Sequence, residues 1–535
     1  MPRILVSDKL AEEGLKLIRA HSDIELTVSP GLTEDQLAEQ IGQYDGLIIR
    51  SASKVTAKVL ANSGRLKAIA RAGVGVDNVD VKAATARGVL VMNTPDANTL
   101  STAEQTIALL CAMSRHTVDA VNSMRAGEWE KTKFTGVQLA GKTLGVIGLG
   151  RVGKAVAARA LGLDMQVIGF DPFVANLEVL GGRVKMTTNL DDVLAAADYI
   201  TLHTPKTEQT ANIIDAAALA KCKDGVRIIN CARGGLVNEQ ALADAIRAGK
   251  VAGAAFDVFP VEPPPKDHPL AGLKQVLLTP HLGASTTEAQ LAVSLQAAEA
   301  MIAYLTRGQI SGAVNLGPIR LDLPPHAKRL ADLADRMGGL IAPLAAKGVK
   351  KIALTVYSET LTNLASTLAR LLAIALFRPH RETPINVVNI NQFLQQYGIE
   401  LAETTQSAGE GGADRLAGEV TLADGRVLRV VGTVLADSLP RILEISGYRM
   451  DMVPANNMVL LFNDDRPGVI GLVGTTFGQH RVNIADMTIS RQDKLALMIL
   501  RLDSDPPAGL LAAMRAANPP IHEVHAVKLP PISPA

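Results

Sequence analysis

The stretch from Thr143 to Ala157 limits what this chain can fold into more than any other. Leu144 to Ile147 is a short apolar run, glycines follow at Gly148, Gly150 and Gly153, and Val152, Val156 and Arg159 recur with helical spacing. A strand, a tight turn and a helix start must succeed one another. Gly148 lets the chain turn, Gly150 lets backbone approach a ligand with no side chain in the way, and Gly153 lets helix and strand pack closely. A pyrophosphate then has a place on the positive helix N-terminus. Gln166 to Phe170 reads as a second strand ending in Asp171, where a carboxylate meets the ribose hydroxyls of a dinucleotide. Pro172 and Phe173 follow, with no adjacent Arg to receive a 2′-phosphate, so the expected cofactor is NAD rather than NADP.

The chain has 535 residues, enough for about three or four domains with a core in each. Its net charge of +1 offers no excess that would draw it to nucleic acid or an anionic membrane. Cys111, Cys222 and Cys231 are odd in number and lack C-x-x-C spacing, which argues against a disulfide framework or a cysteine zinc site and for a reducing cytoplasm. A strand at Ile4 to Val6 leaves no room for a signal peptide, and no apolar run approaches the roughly 18 residues of a membrane span. A soluble, cytoplasmic protein is expected. His522 and His525 would point to opposite faces of an extended segment, so no metal is expected.

Residues 3 to 98 alternate strands (Ile4 to Val6, Glu25 to Val28, Gly46 to Ile49, Ala68 to Ala70, Val89 to Val91) with helical stretches, the rhythm of a parallel α/β sheet. Arg50, Lys54 and Arg71 follow strand ends, where such sheets bind ligands. Ser101 and Glu104 have capping-box spacing at the start of a long helix expected from Thr102 to Met124. The rhythm repeats from 141 to 284 (Leu144 to Ile147, Val167 to Phe170, Tyr199 to Leu202, Val226 to Asn230, Gly253 to Val258, Val276 to Thr279), and a helix from Thr286 to Thr306 is long enough to cross back to the first domain. Pro318 to Pro325 reads as a linker. Helices mixed with strands such as Lys351 to Val356 and Val427 to Val431 follow, with a loop at Ser407 to Gly412. From Met458 the order is βαββαβ. The expected fold is α/β: two Rossmann-like parallel-sheet domains (1–98 plus 285–317, and 99–284), an α+β domain (318–456) and a ferredoxin-like domain (457–535).

Three segments just past strand ends of the nucleotide domain carry Arg233, Asp257 with Glu262, and His281. Taking a hydride from a secondary alcohol requires a base for the hydroxyl proton, and imidazole works near neutral pH. His281 is that candidate, Glu262 the carboxylate that fixes its tautomer, and Arg233 the guanidinium that holds a substrate carboxylate and polarises the neighbouring carbonyl.

These residues resemble those of the D-isomer-specific 2-hydroxy acid dehydrogenases, and within them the long-form D-3-phosphoglycerate dehydrogenases, over essentially the whole chain. The resemblance rests on Gly148, Gly150, Gly153, Asp171, His203 to Pro205, Cys231 to Gly235, Asp257, Glu262 and Pro280 to Thr286. More narrowly, it rests on Arg50, Arg71 to Gly73, Trp129 to Lys131 and two C-terminal domains that look like an intervening allosteric substrate-binding domain and an ACT domain. It implies NAD-dependent oxidation of 3-phospho-D-glycerate to 3-phosphohydroxypyruvate, the first step of phosphorylated L-serine biosynthesis, by a homo-oligomer, dimer or tetramer. It also implies cofactor contacts from Val76, Arg151, Val152, His203, Thr204, Pro205, Cys231, Ala232, Arg233, His281, Gly283 and Ala284, with Asp257 at the nicotinamide carboxamide. Arg50, Ser51, Arg71, Gly73 and Lys131 would hold substrate, and Asn463, Asp465 and Asn483 an L-serine effector. Asn463 stands where relatives place His or Tyr, which leaves serine inhibition less supported than catalysis. Two alternatives stay open: a glycerate or hydroxypyruvate reductase, which would usually lack the C-terminal extension, and an NAD-sensing binding protein like the C-terminal-binding corepressors.

Overall fold

A computed structural model describes the chain except residues 173–177, 318, 320–322, 346–347, 360, 362, 381–384, 409–411, 436–438, 519 and 533–535. Phe173, parts of the expected Pro318 to Pro325 linker and the centre of the expected Ser407 to Gly412 loop lie outside the described residues. Five parallel strands, β1 (Arg3–Val6), β2 (Glu25–Val28), β3 (Gly46–Ile49), β4 (Ala68–Arg71) and β5 (Leu90–Asn93), form the first sheet in the order β2-β1-β3-β4-β5. Seven more, β6 (Thr143–Ile147), β7 (Gln166–Phe170), β8 (Val184–Thr187), β9 (Tyr199–Leu202), β10 (Val226–Asn230), β11 (Val251–Phe256) and β12 (Val276–Leu278), form the second, in the order β12-β11-β10-β9-β6-β7-β8. The strand order reverses between β6 and β9, which opens a crevice beyond their carboxyl ends.

The helix Thr287–Arg307 returns to the first sheet. Its Val293, Ala297, Ala298 and Met301 share a core with Ile4, Val6, Leu15 and Ile18. Gly14 and Gly46 allow the approach, since a Cβ on Gly14 would lie 2.9 Å from the Ser294 carbonyl oxygen and one on Gly46 2.5 Å from Met301 Sδ.

The expected long helix is two helices, Thr99–Ser114 and Thr117–Arg125. His116 between them is left-handed (φ 50°), and the Ser114 carbonyl accepts from the Val137 N–H at 2.9 Å, a bond from outside the helix. The capping box is absent as well. Ser101 Oγ donates to the Gly283 carbonyl at 2.7 Å, and Glu104 pairs with Arg159. The edge strand β8 carried no readable period in the sequence, because its four residues alternate imperfectly between buried and open positions.

The third sheet comprises β13 (Val349–Tyr357), β14 (Glu400–Gln406), β15 (Arg415–Leu422), β16 (Val427–Val434), β17 (Pro440–Ile445) and β18 (Tyr448–Met452), in the order β14-β13-β15-β16-β17-β18. The fourth comprises β19 (Asn456–Asp464), β20 (Ile484–Gln492), β21 (Leu495–Leu502) and β22 (Ile521–Leu529), in the order β20-β21-β19-β22. With the helices Val469–Gln479 and Ala508–Arg515 this is the expected βαββαβ unit. Strand alternation gives it two apolar faces. Val459, Leu461, Met498 and Leu500 cover its own helices, while Leu460, Leu497, Ile499 and Leu529 join the core of the third domain. Among the described residues, no helix is long and apolar enough to cross a membrane.

Arg336, 3% exposed, ties the two C-terminal domains together by donating to the carbonyls of Pro454 (2.9 Å), Pro530 (2.7 Å) and Pro531 (3.1 Å) and pairing with Asp332. Truncating it strands buried acceptors. Arg336→Ala should cost about 3 kcal/mol and speed amide exchange in β22; an unchanged denaturation midpoint with unchanged exchange would contradict this.

Candidate active site

The glycine turn sits at the switch point of the second sheet. Gly148 has φ 94°, and a Cβ there would lie 2.6 Å from the His203 carbonyl oxygen; one on Gly153 would lie 1.9 Å from that of Gly148. Both are glycine because the protein itself fills the space. Gly150 is different: a Cβ would meet nothing within 4 Å, and the residue borders a cavity of about 430 Å³ at the N-terminus of the helix Arg151–Gly162. Asp171, at the end of β7, accepts from the Leu149 N–H at 2.8 Å and so holds the turn from behind.

The cavity is lined by Gly150, Arg151, Val152, His203, Thr204, Pro205, Cys231, Ala232, Arg233, Asp257, His281, Gly283 and Ala284, while Gly148, Gly153 and Asp171 are not among its walls. Val76 is not among its walls; it packs against the first domain's core, and Val74 and Gly75 line the cavity in its place. His203 bonds Thr201 Oγ1 through Nε2 at 2.9 Å, and burial pushes its pKa down to about 3, so it enters the site uncharged. Its Nδ1, Thr204 Oγ1 and Asn98 Oδ1 are buried beside the cavity without partners among the described residues. Such groups call for a polar ligand, and with the open face at Gly150 they fit a dinucleotide.

Asp257 is fully buried. Its carboxylate accepts from Thr279 Oγ1 (2.5 Å) and from the backbone N–H groups of Leu282 (2.8 Å) and Gly283 (2.7 Å), so both oxygens serve the loop that carries His281. His281 is left-handed (φ 54°) and places Nδ1 2.7 Å from Glu262 Oε2. The other Glu262 oxygen accepts from the Phe259 N–H at 3.1 Å. Nδ1 is thus the ring nitrogen that Glu262 engages, which leaves Nε2 for other contacts.

A second cavity of about 610 Å³ adjoins the first, and Arg71, Asp77, Arg233 and His281 line both. Arg233 Nε lies 3.1 Å from Asp77 Oδ2, and a Cβ on Gly75 would lie 2.2 Å from Arg233 Nη2. Arg71 is largely buried: desolvation first, and then Arg233, push its pKa down to about 10, which leaves it a cation at neutral pH. Gly73 exists to admit it, since a Cβ there would lie 1.6 Å from Arg71 Nη1.

Ser51 and Lys54 line this outer lobe, whereas Arg50 donates to the Lys9 carbonyl at 3.3 Å and Lys131 lies on an exposed turn; neither lines the cleft. Lys206 and Asp77 line it without having been assigned from sequence. Lys206 directly follows His203 to Pro205 beyond the end of β9, and that address was the available signal.

The expected effector residues do not meet within one chain. Asp465 follows β19, whose Asp464 registers with Leu495, while Asn483 precedes β20, whose Ile484 registers with Leu502 at the opposite end of β21. Asp465 pairs with Arg491, and Asn483 donates to Asp503 at 2.6 Å. Asn463 is 2% exposed; its Nδ2 donates to the Asp464 carbonyl at 2.7 Å and its Oδ1 is buried without a partner.

Three family models match: the D-isomer specific 2-hydroxyacid dehydrogenase NAD binding domain over residues 107–283, the D-3-phosphoglycerate dehydrogenase intervening domain over 327–446, and the ACT domain over 457–518. The D-3-phosphoglycerate dehydrogenase of Archaeoglobus fulgidus is 38% identical over 516 residues, 96% of this chain and 97% of that protein. The one from Bacillus subtilis is 38% identical over 510 residues, 94% of this chain and 95% of its own length. Among solved structures, TT0316 protein from Thermus thermophilus is similar at a TM-score of 0.54 and 34% identity, covering 58% of this chain and 99% of its own. The chain therefore belongs to the D-3-phosphoglycerate dehydrogenases, within the NAD-binding D-isomer-specific 2-hydroxyacid dehydrogenase family.

Proposed function

We propose that this chain oxidises 3-phospho-D-glycerate to 3-phosphohydroxypyruvate with NAD, opening phosphorylated L-serine synthesis. The observation that carries the reading is the His281–Glu262 pair facing Arg71 and Arg233 across one cleft. Arg233 and Arg71 bind the substrate's anionic groups, helped in the outer lobe by Lys54 and Lys206. Arg233 also polarises the carbon that becomes a carbonyl. NAD, when bound along the Gly148 to Gly153 turn and His203 to Pro205, supplies the hydride acceptor. His281 Nε2 takes the hydroxyl proton, and Glu262 at Nδ1 stabilises the imidazolium that forms. Adding phosphohydroxypyruvate and NADH to the purified protein should consume NADH absorbance; no consumption would sink the substrate assignment.

The chain also assembles as a homo-oligomer in this reading, a dimer or tetramer. Val118, Val121, Met124 and the 79% exposed Trp129 offer an apolar surface that a second copy would cover. Free Cys111, Cys222 and Cys231 suit the reducing cytoplasm. The division into 1–98 plus 285–317, 99–284, 318–456 and 457–535 assigns substrate binding, NAD binding, an intervening domain and regulation in turn. For an L-serine effector, antiparallel pairing of two β20 edges brings Asp465 of one copy toward Asn483 of another, which a single chain keeps apart.

His281→Ala should lower turnover by about 10²- to 10⁴-fold with NAD affinity nearly intact, and Glu262→Gln should move the acid limb of the pH profile. Near wild-type turnover in His281→Ala would remove the base assignment. Asp171→Ala should weaken NAD and narrow its advantage over NADP, because a carboxylate at the ribose also repels a 2′-phosphate; a wild type preferring NADP would contradict that. Calorimetric titration of serine should show binding to wild type and less to Asp465→Ala. No heat and no change in activity at millimolar serine would exclude a serine sensor.

A further inference from the structure

Behind the catalytic cleft lies a second histidine–carboxylate pair that touches neither cavity. His268 Nε2 is 2.8 Å from Glu239 Oε2, with side chains 6% and 10% exposed. The tautomer is fixed by the neighbours: Nδ1 accepts from the Leu270 N–H at 3.3 Å, so the ring proton sits on Nε2 and is donated to Glu239. The other Glu239 oxygen is buried without a partner among the described residues, and burial raises this carboxyl above its ordinary value. A buried polar pair so incompletely satisfied costs stability, and that cost calls for a compensating role.

The pair anchors one loop. His268 N–H donates to the Pro265 carbonyl at 3.1 Å, and its ring stands edge-on to Phe259 at 5.4 Å and 89°. Phe259 walls the outer cavity, and its N–H fixes the Glu262 oxygen that does not face His281. The loop from Asp257 to Leu270 is thus held at its start by Asp257 and at its end by His268, with Glu262 between.

We propose that His268, anchored on Glu239, is a positioning residue for the reaction: it holds Phe259 and so sets Glu262 against His281. This rests on the reading of His281 as the base. A misplacement of about 1 Å at such a pair costs on the order of 100-fold in rate.

The test compares His268→Leu with His268→Gln, whose amide nitrogen can still reach Glu239, by kcat, KM, NAD dissociation constant and the pH dependence of kcat/KM. His268→Leu should lose about 10- to 100-fold in kcat with NAD affinity unchanged. Its acid limb should move to lower pH, because an imidazolium deprived of its carboxylate is less favoured. His268→Gln should recover most of both. Wild-type kcat and acid limb in His268→Leu would overturn the proposal, as would a loss of kcat with the acid limb unmoved, which marks a merely structural role. If His268→Leu does not fold, the same comparison is made with His268→Asn, which keeps the acceptor for Leu270 but falls short of Glu239. Carbethoxylation of His281 against pH, followed by mass spectrometry, gives a readout free of turnover. Its midpoint should fall in the Leu or Asn variant, and an unmoved midpoint overturns the positioning role even if the substrate assignment fails.

Discussion

The active site depends on one buried carboxylate that never leaves its loop. Among the described residues Asp257 forms no ion pair; a hydroxyl and two backbone N–H groups solvate its carboxylate instead. Those bonds hold residues 279–283 in a tight curl, which makes a left-handed conformation at His281 tolerable although a side chain there costs about 1 kcal/mol. The curl aims the imidazole at Glu262. It also presents the Gly283 carbonyl to Ser101 and Thr102, which stitches the helix Thr99–Ser114 to the same loop. The cavity wall, the loop of His281 and the crossing from helix Thr99–Ser114 thus meet at a single side chain.

The parallel sheets were legible because their strands are short apolar runs bounded by turn residues, and β2, β3, β9 and β10 have the bounds their composition suggests. The Arg233, Glu262 and His281 addresses were legible for a related reason: strand ends in such sheets converge on one crevice. What stayed hidden is set by contacts distant in sequence. The helix break at His116 follows from a bond between Ser114 and Val137, which local periodicity cannot express. His268 sits between prolines and looks like a turn residue until Glu239, 29 residues earlier, is brought beneath it. Asp465 and Asn483 are close in sequence yet occupy opposite ends of a sheet, because a helix carries the chain back along its full length.

Arg71 and Gly73 illustrate how the site handles its charge. Two arginines and two lysines face one cleft, and the burial that holds Arg71 below its ordinary value is a cost that the opposite charge of an anionic ligand would offset. Asp77 meanwhile occupies Arg233. Asp77 itself is largely exposed, so this pair sits at the open side of the cleft.

The third domain is not tethered only by its linker. Val388 sits in the core of the first domain, and Asn386 donates to the Gly88 carbonyl at 2.9 Å, while the fourth sheet shares the third domain's core on its far side. First, third and fourth domains are thus packed in series, and the chain crosses to the nucleotide half near residues 94–99 and 284–287. The C-terminal third of the chain is therefore packed, through side chains and not the linker alone, onto the half that carries Lys54 and Arg71 of the cleft.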